Sequence, residues 1–451
     1  MAVFDGPTTV EQELTGSSPE MARPEGAAAA PEWGMVKRLL FRFGLSYLFL
    51  YLLPSFLGLL AYIPGGETVS GWYEALWLAL VPWVGRHVFG VAALSHPTGS
   101  GDTMFGWVEA FCFLVVALVA ALVWTLVDRK RKSYPRLYEW LRIWVRFGLG
   151  MAMMQYGCFK LIPSQFPRPS LDRMMQSLGD SSPMGILWTF MGASAPYTIF
   201  TGLVEWIGGA LLLFRRTAGV GALLSIAAMT NVVILNFCYD VPVKLYSFHL
   251  LAMAVFLAAP DLRRLTLLLV LRRPVQPEED HPLFRRRWLQ RGGAVLATVF
   301  LLASTVYTLN ISYNQFRTFS NHAPAPLYGI WEVDELIIDG QARPLVLTDE
   351  SRWRRVVLDY SNSFSILLMN NFRQRYFTTV NPAKKTVALT KRGDPAWKSN
   401  FAYQQPAPGR LTLEGTFDGK KVHASLHRIE APRFRLITRG FHWVSEYPYN
   451  E

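Results

Sequence analysis

The sequence predicts a polytopic α-helical membrane protein of about seven spans that ends in an all-β barrel or sandwich domain. Three observations predict it. Apolar residues come in blocks of about 20, nearly free of charge, the length that crosses a ~30 Å hydrocarbon core. Lys and Arg cluster in the loops between alternate blocks. From Ser320 onward the long blocks stop, and apolar residues alternate with a period of two.

The composition agrees. Of 451 residues, 51% are hydrophobic and only 17% charged, against roughly 25% charge in soluble domains. That excludes a soluble single-domain enzyme and a disordered or fibrous chain. Three cysteines cannot staple a secreted disulfide scaffold. The net charge of +12 reads as a topology signal and an attraction to the lipid bilayer. No basic stripe with interleaved aromatics is present, so no nucleic-acid partner is expected.

Residues 1–33 hold Asp5, Glu11, Glu13, Glu20, Glu25 and Glu32 against Arg23, among Pro, Gly, Ser and Ala. This tail is expected to be disordered. No basic region followed by an early apolar core opens the chain, so the first apolar block reads as an uncleaved anchor. Residues 34–139 form the N-terminal membrane helices, with spans expected at 36–62 and 105–127. Four more follow in 140–262, at 140–162, 197–214, 217–237 and 243–260. After a basic loop at 263–290 comes the last membrane helix, 291–317, whose apolar block is 291–309.

Orientation follows from the loops. Lys37 and Arg38, Arg129–Lys132, Arg215 and Arg216, and the arginines from Arg263 to Arg287 fall on one side only with seven crossings. The N-terminus is then cytoplasmic and the C-terminal domain periplasmic, in a bacterial plasma membrane. Residues 72–94 are the ambiguous segment. Trp72, Tyr73, Trp77 and Trp83 form an aromatic belt, which Pro82, Arg86 and His87 interrupt. A crossing there would invert every later loop, so it is expected as an amphipathic or re-entrant helix at the outer surface.

Residues 318–451 are expected as a periplasmic β domain of roughly eight to ten strands. Pro324 and Pro326 mark its linker. Leu411–Phe417 alternates, Asp418-Gly419 supplies a two-residue type I′ turn, and Val422, Ala424 and Leu426 alternate again. Phe364–Met369 and Gln374–Val380 form another hairpin. The aromatic interior fits a ligand cavity or an ordinary barrel core.

Two resemblances attach to particular residues. Arg142, Arg146-Phe147-Gly148, Tyr156-Gly157-Cys158-Phe159-Lys160, Gly202-Leu203-Val204-Glu205, Gly208-Gly209, Arg215-Arg216, Asn231 and Asp240–Leu245 make the stretch 142–260 similar to the DoxX family of four-helix bacterial membrane proteins. These are relatives of the membrane subunit of thiosulfate:quinone oxidoreductase. The resemblance implies a four-helix bundle and, in one branch, quinone-linked redox chemistry. Tyr328-Gly329-Ile330-Trp331 resembles the Gly-x-Trp opening of a lipocalin-like barrel, whose Trp packs under a basic side chain. Arg435 or Arg439 is the expected partner.

Polar residues inside lipid persist only when paired or facing a wet cavity. Lys160, Glu205 and His249 are therefore candidate catalytic residues in the outer half of the bundle, with Asn231, Asn236, Asp240 and Lys244 as candidate ligand-binding residues. Lys160 and His249 would donate hydrogen bonds to a quinone head and Glu205 would relay protons. The competing reading is a clasp, in which Lys160–Glu205 and Asp240–Lys244 hold helices in register. Lys244 alone would be an interfacial anchor. Cys158 and Cys238 are candidates for a redox pair on the outer side, or merely two small side chains at one depth. Gly202, Gly208, Gly209, Gly219 and Gly221 permit close helix contact.

No haem, metal or nucleotide is indicated. Only His249 lies inside a span, and no Cys-x-x-Cys, phosphate loop or His-Glu-x-x-His is present. His423 and His427 share a strand face but are too far apart to ligate one metal directly. Three readings of function remain: a quinone-linked oxidoreductase subunit; a non-enzymatic binding or assembly protein whose β domain engages a periplasmic or membrane partner protein or a lipophilic ligand; and a small transporter.

Overall fold

The computed structural model describes residues 32–60, 64–96, 98–275, 286–320, 326–359, 362–391, 393–429 and 434–450. The expectation for residues 1–33 falls, but for its last two residues, outside them. So do Pro324 and residues 276–285 of the basic loop.

Among the described residues eleven α-helices precede the β domain: α1 (Met35–Leu60), α2 (Gly66–Val84), α3 (Met104–Val127), α4 (Pro135–Leu161), α5 (Leu171–Met174), α6 (Pro183–Ala193), α7 (Ala195–Leu213), α8 (Ala218–Cys238), α9 (Lys244–Ala258), α10 (Leu262–Leu265) and α11 (Arg287–Ser320). Six are long and apolar enough to cross a membrane: α1, α3, α7, α8, the run from α9 through Val270, and α11. Their outer surfaces are apolar, as on α3, where Leu118, Val119, Leu122 and Val123 are exposed. The seventh expected span, α4, carries Arg136, Glu139, Arg142, Arg146 and Lys160 and falls short by composition. It is nonetheless the central rod. Its Val145, Leu149 and Met153 are buried in the main helical core, and it packs on α1, α7, α9 and α11.

The rods alternate in direction. Leu52 of α1 lies against Gly148 of α4 and Phe41 against Tyr138, so these two run parallel. On α3 the order reverses. Arg42, near the start of α1, donates to Thr125 Oγ1 (2.7 Å) and to the Asp128 carbonyl (2.9 Å) at the end of α3. Arg42 is buried and also donates to Tyr134 Oη at 2.5 Å. The polarity repeats through α7, α8, α9 and α11. Consequently Arg38, Arg129–Lys132, Arg215, Arg216, Arg263, Arg264 and Arg287 all lie at one end of the bundle. The other end leads into the β domain. Arg146 is buried near the basic end, where it donates to the Leu212 and Leu213 carbonyls (2.7 and 3.0 Å). It satisfies the last turn of α7, where a cation also suits the helix dipole.

Helix α2, continued by a π-helical turn at Gly85–Phe89, covers most of segment 72–94. It leaves α1 and rejoins α3 at the same end of the bundle. Tyr73, Trp77 and Val81 pack against Tyr47, Tyr51 and Phe113, while Trp72, Leu76 and Trp83 face outward.

Among its described residues the β domain is a meander of nine strands: β1 (Gly329–Ile338), β2 (Gln341–Ala342), β3 (Trp353–Asp359), β4 (Ser363–Leu368), β5 (Arg373–Asn381), β6 (Thr386–Lys391), β7 (Asp394–Gln404), β8 (Arg410–Phe417) and β9 (Lys420–Ile429). Pairing of β1 with β9 closes all but the short β2 into an eight-stranded antiparallel barrel. Asp418 and Gly419 both have positive φ, 50° and 77°, as a type I′ turn requires. Trp331, Trp353, Phe364, Phe401, Leu413 and Phe417 belong to one buried cluster inside the barrel. A bulge on β1 falls between Val333 and Glu335, where two carbonyls take side-chain donors. Buried Arg352 donates to those of Val333 (2.9 Å) and Asp334 (3.2 Å).

The basic residue beside the Gly-x-Trp element is neither Arg435 nor Arg439. Those two lie over the Tyr449 ring. Arg428 stands opposite Trp331 in the β1–β9 register, and its Nε is 2.8 Å from where a Cβ on Gly329 would project. A strand neighbour in register was available, whereas Arg435 lies in the short helix α12 (Arg435–Thr438) beyond the barrel and Arg439 just after it.

Barrel and bundle touch through α5. Asp172 accepts from Arg373 Nη1 (3.1 Å) and Arg375 Nε (2.9 Å) of β5. Its backbone N–H donates to Asp359 Oδ2 at 2.8 Å.

Candidate functional site

Lys160 at the end of α4 and Glu205 within α7 are 7% and 4% exposed, and Lys160 Nζ donates to Glu205 Oε2 at 2.5 Å. Glycines bring the helices this close. A Cβ on Gly157 would lie 2.8 Å from the Gly202 carbonyl oxygen, and one on Gly209 would lie 2.7 Å from that of Gly150. The pair is enclosed by protein on both helices. Beside it Ser312 of α11 donates to the carbonyls of Cys158 (3.2 Å) and Ile162 (3.0 Å), and Trp206 Nε1 donates to Thr305 (3.2 Å). This is the geometry of a three-helix clasp.

The other expected site residues do not join the pair around one cavity. Asn236 is buried and donates to Ser247 Oγ at 3.0 Å, tying α8 to α9. Asn231, on the same helix, is exposed on its outer face. Lys244 is not a free interfacial anchor. It pairs with Asp240 at 2.8 Å and lies 3.8 Å from Asp102. Asp102, not singled out in the sequence, accepts from the backbone N–H groups of Lys244 and Leu245 (both 2.9 Å) and so caps α9. Cys158 and Cys238 are free thiols, the first buried beside α11 and the second exposed at the end of α8.

His249 faces α1 instead. Its Nδ1 is 2.7 Å from the Leu245 carbonyl, so Nδ1 carries the proton and Nε2 accepts. Tyr47 Oη therefore donates to Nε2 at 2.7 Å. The Tyr51 ring stacks on the imidazole, 4.1 Å between centroids.

Next to this stack lies a cavity of about 230 Å³, lined by Tyr51, Leu52, Pro54 and Ser55 of α1, Glu109 and Phe113 of α3, Gly148 of α4, and Tyr246, Leu250 and Met253 of α9. Its walls are mixed: Leu52, Pro54, Phe113, Leu250 and Met253 are apolar, and Tyr51, Ser55, Glu109 and Tyr246 are polar. Glu109 lies in the second turn of α3, inside a membrane-length helix, and has no ion-pair partner among the described residues. Nor do the Tyr51 and Tyr246 hydroxyls have a hydrogen-bond partner among them. Tyr156 links the two regions. Its ring is 6.1 Å from that of Tyr246 and 5.8 Å from Lys160 Nζ.

Glu109 was not among the expected site residues, and it sits in the most apolar of the membrane-length helices. Its signal was that isolation, since an ionisable group in a span marks a functional site by default. In the barrel, His423 is 3.0 Å from Glu414 and His427 is 2.7 Å from Asp334. Among the described residues no group of three or more His, Cys, Asp or Glu is placed to hold a metal ion.

The chain is similar to an uncharacterized protein, YwoB, of Bacillus subtilis (strain 168). The two are 31% identical over 134 residues, which are 30% of this chain and 80% of that protein. No family model matches the chain. No solved structure matches it.

Proposed function

We propose that this chain, which belongs to the family of the uncharacterized Bacillus subtilis protein YwoB, is a plasma-membrane protein that binds the head of a quinone-class lipid in the cavity between α1, α3, α4 and α9. The observation that carries this is a carboxylate, Glu109, and two phenols, Tyr51 and Tyr246, that have no partner among the described residues and line one cavity beside Leu52, Phe113, Leu250 and Met253. Such groups in a membrane helix are costly unless a ligand or water answers them. The donor set fits a quinone, whose ring matches the apolar walls and whose carbonyl oxygens accept hydrogen bonds. Tyr51 and Tyr246 would donate to those oxygens, and Glu109 would donate when protonated and take up or release a proton. When bound, the quinone supplies two-electron redox chemistry. The likeness of residues 142–260 to the DoxX family favours a quinone over other lipids.

The clustering of Lys and Arg at one end of the bundle supports a cytoplasmic basic end and a periplasmic barrel. In this reading Lys160–Glu205 is a clasp and not the head-binding site.

Titration of the purified protein in nanodiscs with a short-chain ubiquinone, followed by tryptophan quenching, tests the proposal. The wild type should saturate. Glu109→Leu should weaken binding by about tenfold or more, the loss expected when a charge-assisted hydrogen bond of ~1.5–3 kcal/mol goes. The same variant should hold or gain thermal stability, because a lone carboxylate in lipid costs ~2.5–3.5 kcal/mol. Absence of saturable binding, or equal binding by the variant, would contradict the proposal.

A further inference from the structure

Beyond the barrel, residues 434–450 carry large side chains that the other described residues leave uncovered. Trp443 is 92% and Tyr447 83% exposed, and Phe441 and Val444 are exposed beside them. Part of the segment is already assembled. Phe441 packs edge-on against Trp443 with centroids 5.0 Å apart, and the Arg439 guanidinium lies 3.8 Å over the Tyr449 ring.

The barrel topology fixes where this segment emerges. Ile429, the last residue of β9, pairs with Ile330 at the start of β1. β1 is the strand that α11 feeds, and only residues 321–328 separate it from the end of that helix. The aromatic segment and the membrane-length helix therefore meet the same rim of the barrel. Trp, Tyr and Arg are the residues that settle at a membrane–water interface, where a ring can be half-immersed and its polar edge stays wet. The segment contains Arg435, Arg439 and Glu446 and is too charged to cross.

We infer that residues 434–450 lie in the headgroup layer of the leaflet at which α11 ends, anchoring the barrel to the bilayer through Phe441, Trp443 and Tyr447. The partner is a lipid surface. The barrel then has three tethers: the linker from α11, the Asp172 contact with β5 and β3, and this segment.

The test uses the full chain in phosphatidylcholine nanodiscs with the exposed thiol removed by Cys238→Ala. A fluorophore is attached at Ser445→Cys and, as a control, at Lys420→Cys on the opposite rim. The Ser445 label should be quenched by lipids carrying a nitroxide near the headgroup and shielded from aqueous iodide, and the Lys420 label should show the reverse. Adding Phe441→Ser, Trp443→Ser and Tyr447→Ser should abolish lipid quenching at position 445 and restore iodide quenching there. These residues lie outside the barrel core, so the barrel keeps its fold. Iodide quenching at 445 equal to that at 420 would overturn the inference. Shielding from iodide without lipid quenching would also overturn it, because the segment would then be docked on protein.

Discussion

A polar residue in a membrane helix is informative only with its direction. Asn231 and Asn236 both sit near the barrel end of α8, yet five residues at 3.6 per turn place them about 140° apart. Asn236 therefore reaches Ser247 while Asn231 faces outward. That divergence was legible from periodicity. His249 was not, because its partners Tyr47 and Tyr51 belong to α1, about 200 residues earlier, and no spacing rule links them. In the barrel, Tyr376 is buried between Trp397 and Phe417. Burial, with Asp418 nearby, pushes its phenol up to about 12. A raised folded-state pKa means that the contribution is fully present below the ordinary value of 10.0 and is lost as pH rises toward 12. Tyr376→Phe should therefore move the alkaline unfolding limb of the barrel to higher pH, read by near-UV circular dichroism across that range. An unchanged limb would show that the phenol does not ionise in step with unfolding.

At the scale of elements, the pairing of Lys160 on α4 with Glu205 on α7 was legible in the sequence. A buried lysine and a buried glutamate on neighbouring rods must pair, and glycines at 150, 157, 202 and 209 let the backbones approach. Lys160→Met or Glu205→Leu alone leaves an uncompensated charge and should cost ~3–5 kcal/mol. The double variant should recover most of that loss, giving strong coupling in thermal unfolding of the detergent-solubilised protein. Additive losses would mean that the two side chains do not act on one another. The hairpins of the barrel were equally legible, since Asp-Gly between alternating runs specifies its turn. By contrast, α5 and α6 were invisible as elements. They are short, and their burial depends on the barrel wall and on the ends of α8 and α9.

For the whole molecule, charge placement and hydrophobic length determined the outline, and contacts between distant segments determined the site. The Lys and Arg clusters in the loops anticipated a single basic end, which the helix directions produce. The cavity could not be anticipated, because its walls come from four helices between residues 51 and 253. Residues 142–260 supply only α4 and α9 to that cavity. The other two walls, α1 and α3, lie outside that stretch, and so does the carboxylate. The most direct measurement of the central claim is organic extraction and chromatography of the protein purified gently from its own membranes, beside Glu109→Leu prepared identically. The expected result is a quinone in near-stoichiometric amount with the wild type and depleted from the variant. Equal quinone in both preparations, or none above the lipid background in the wild type, would contradict it.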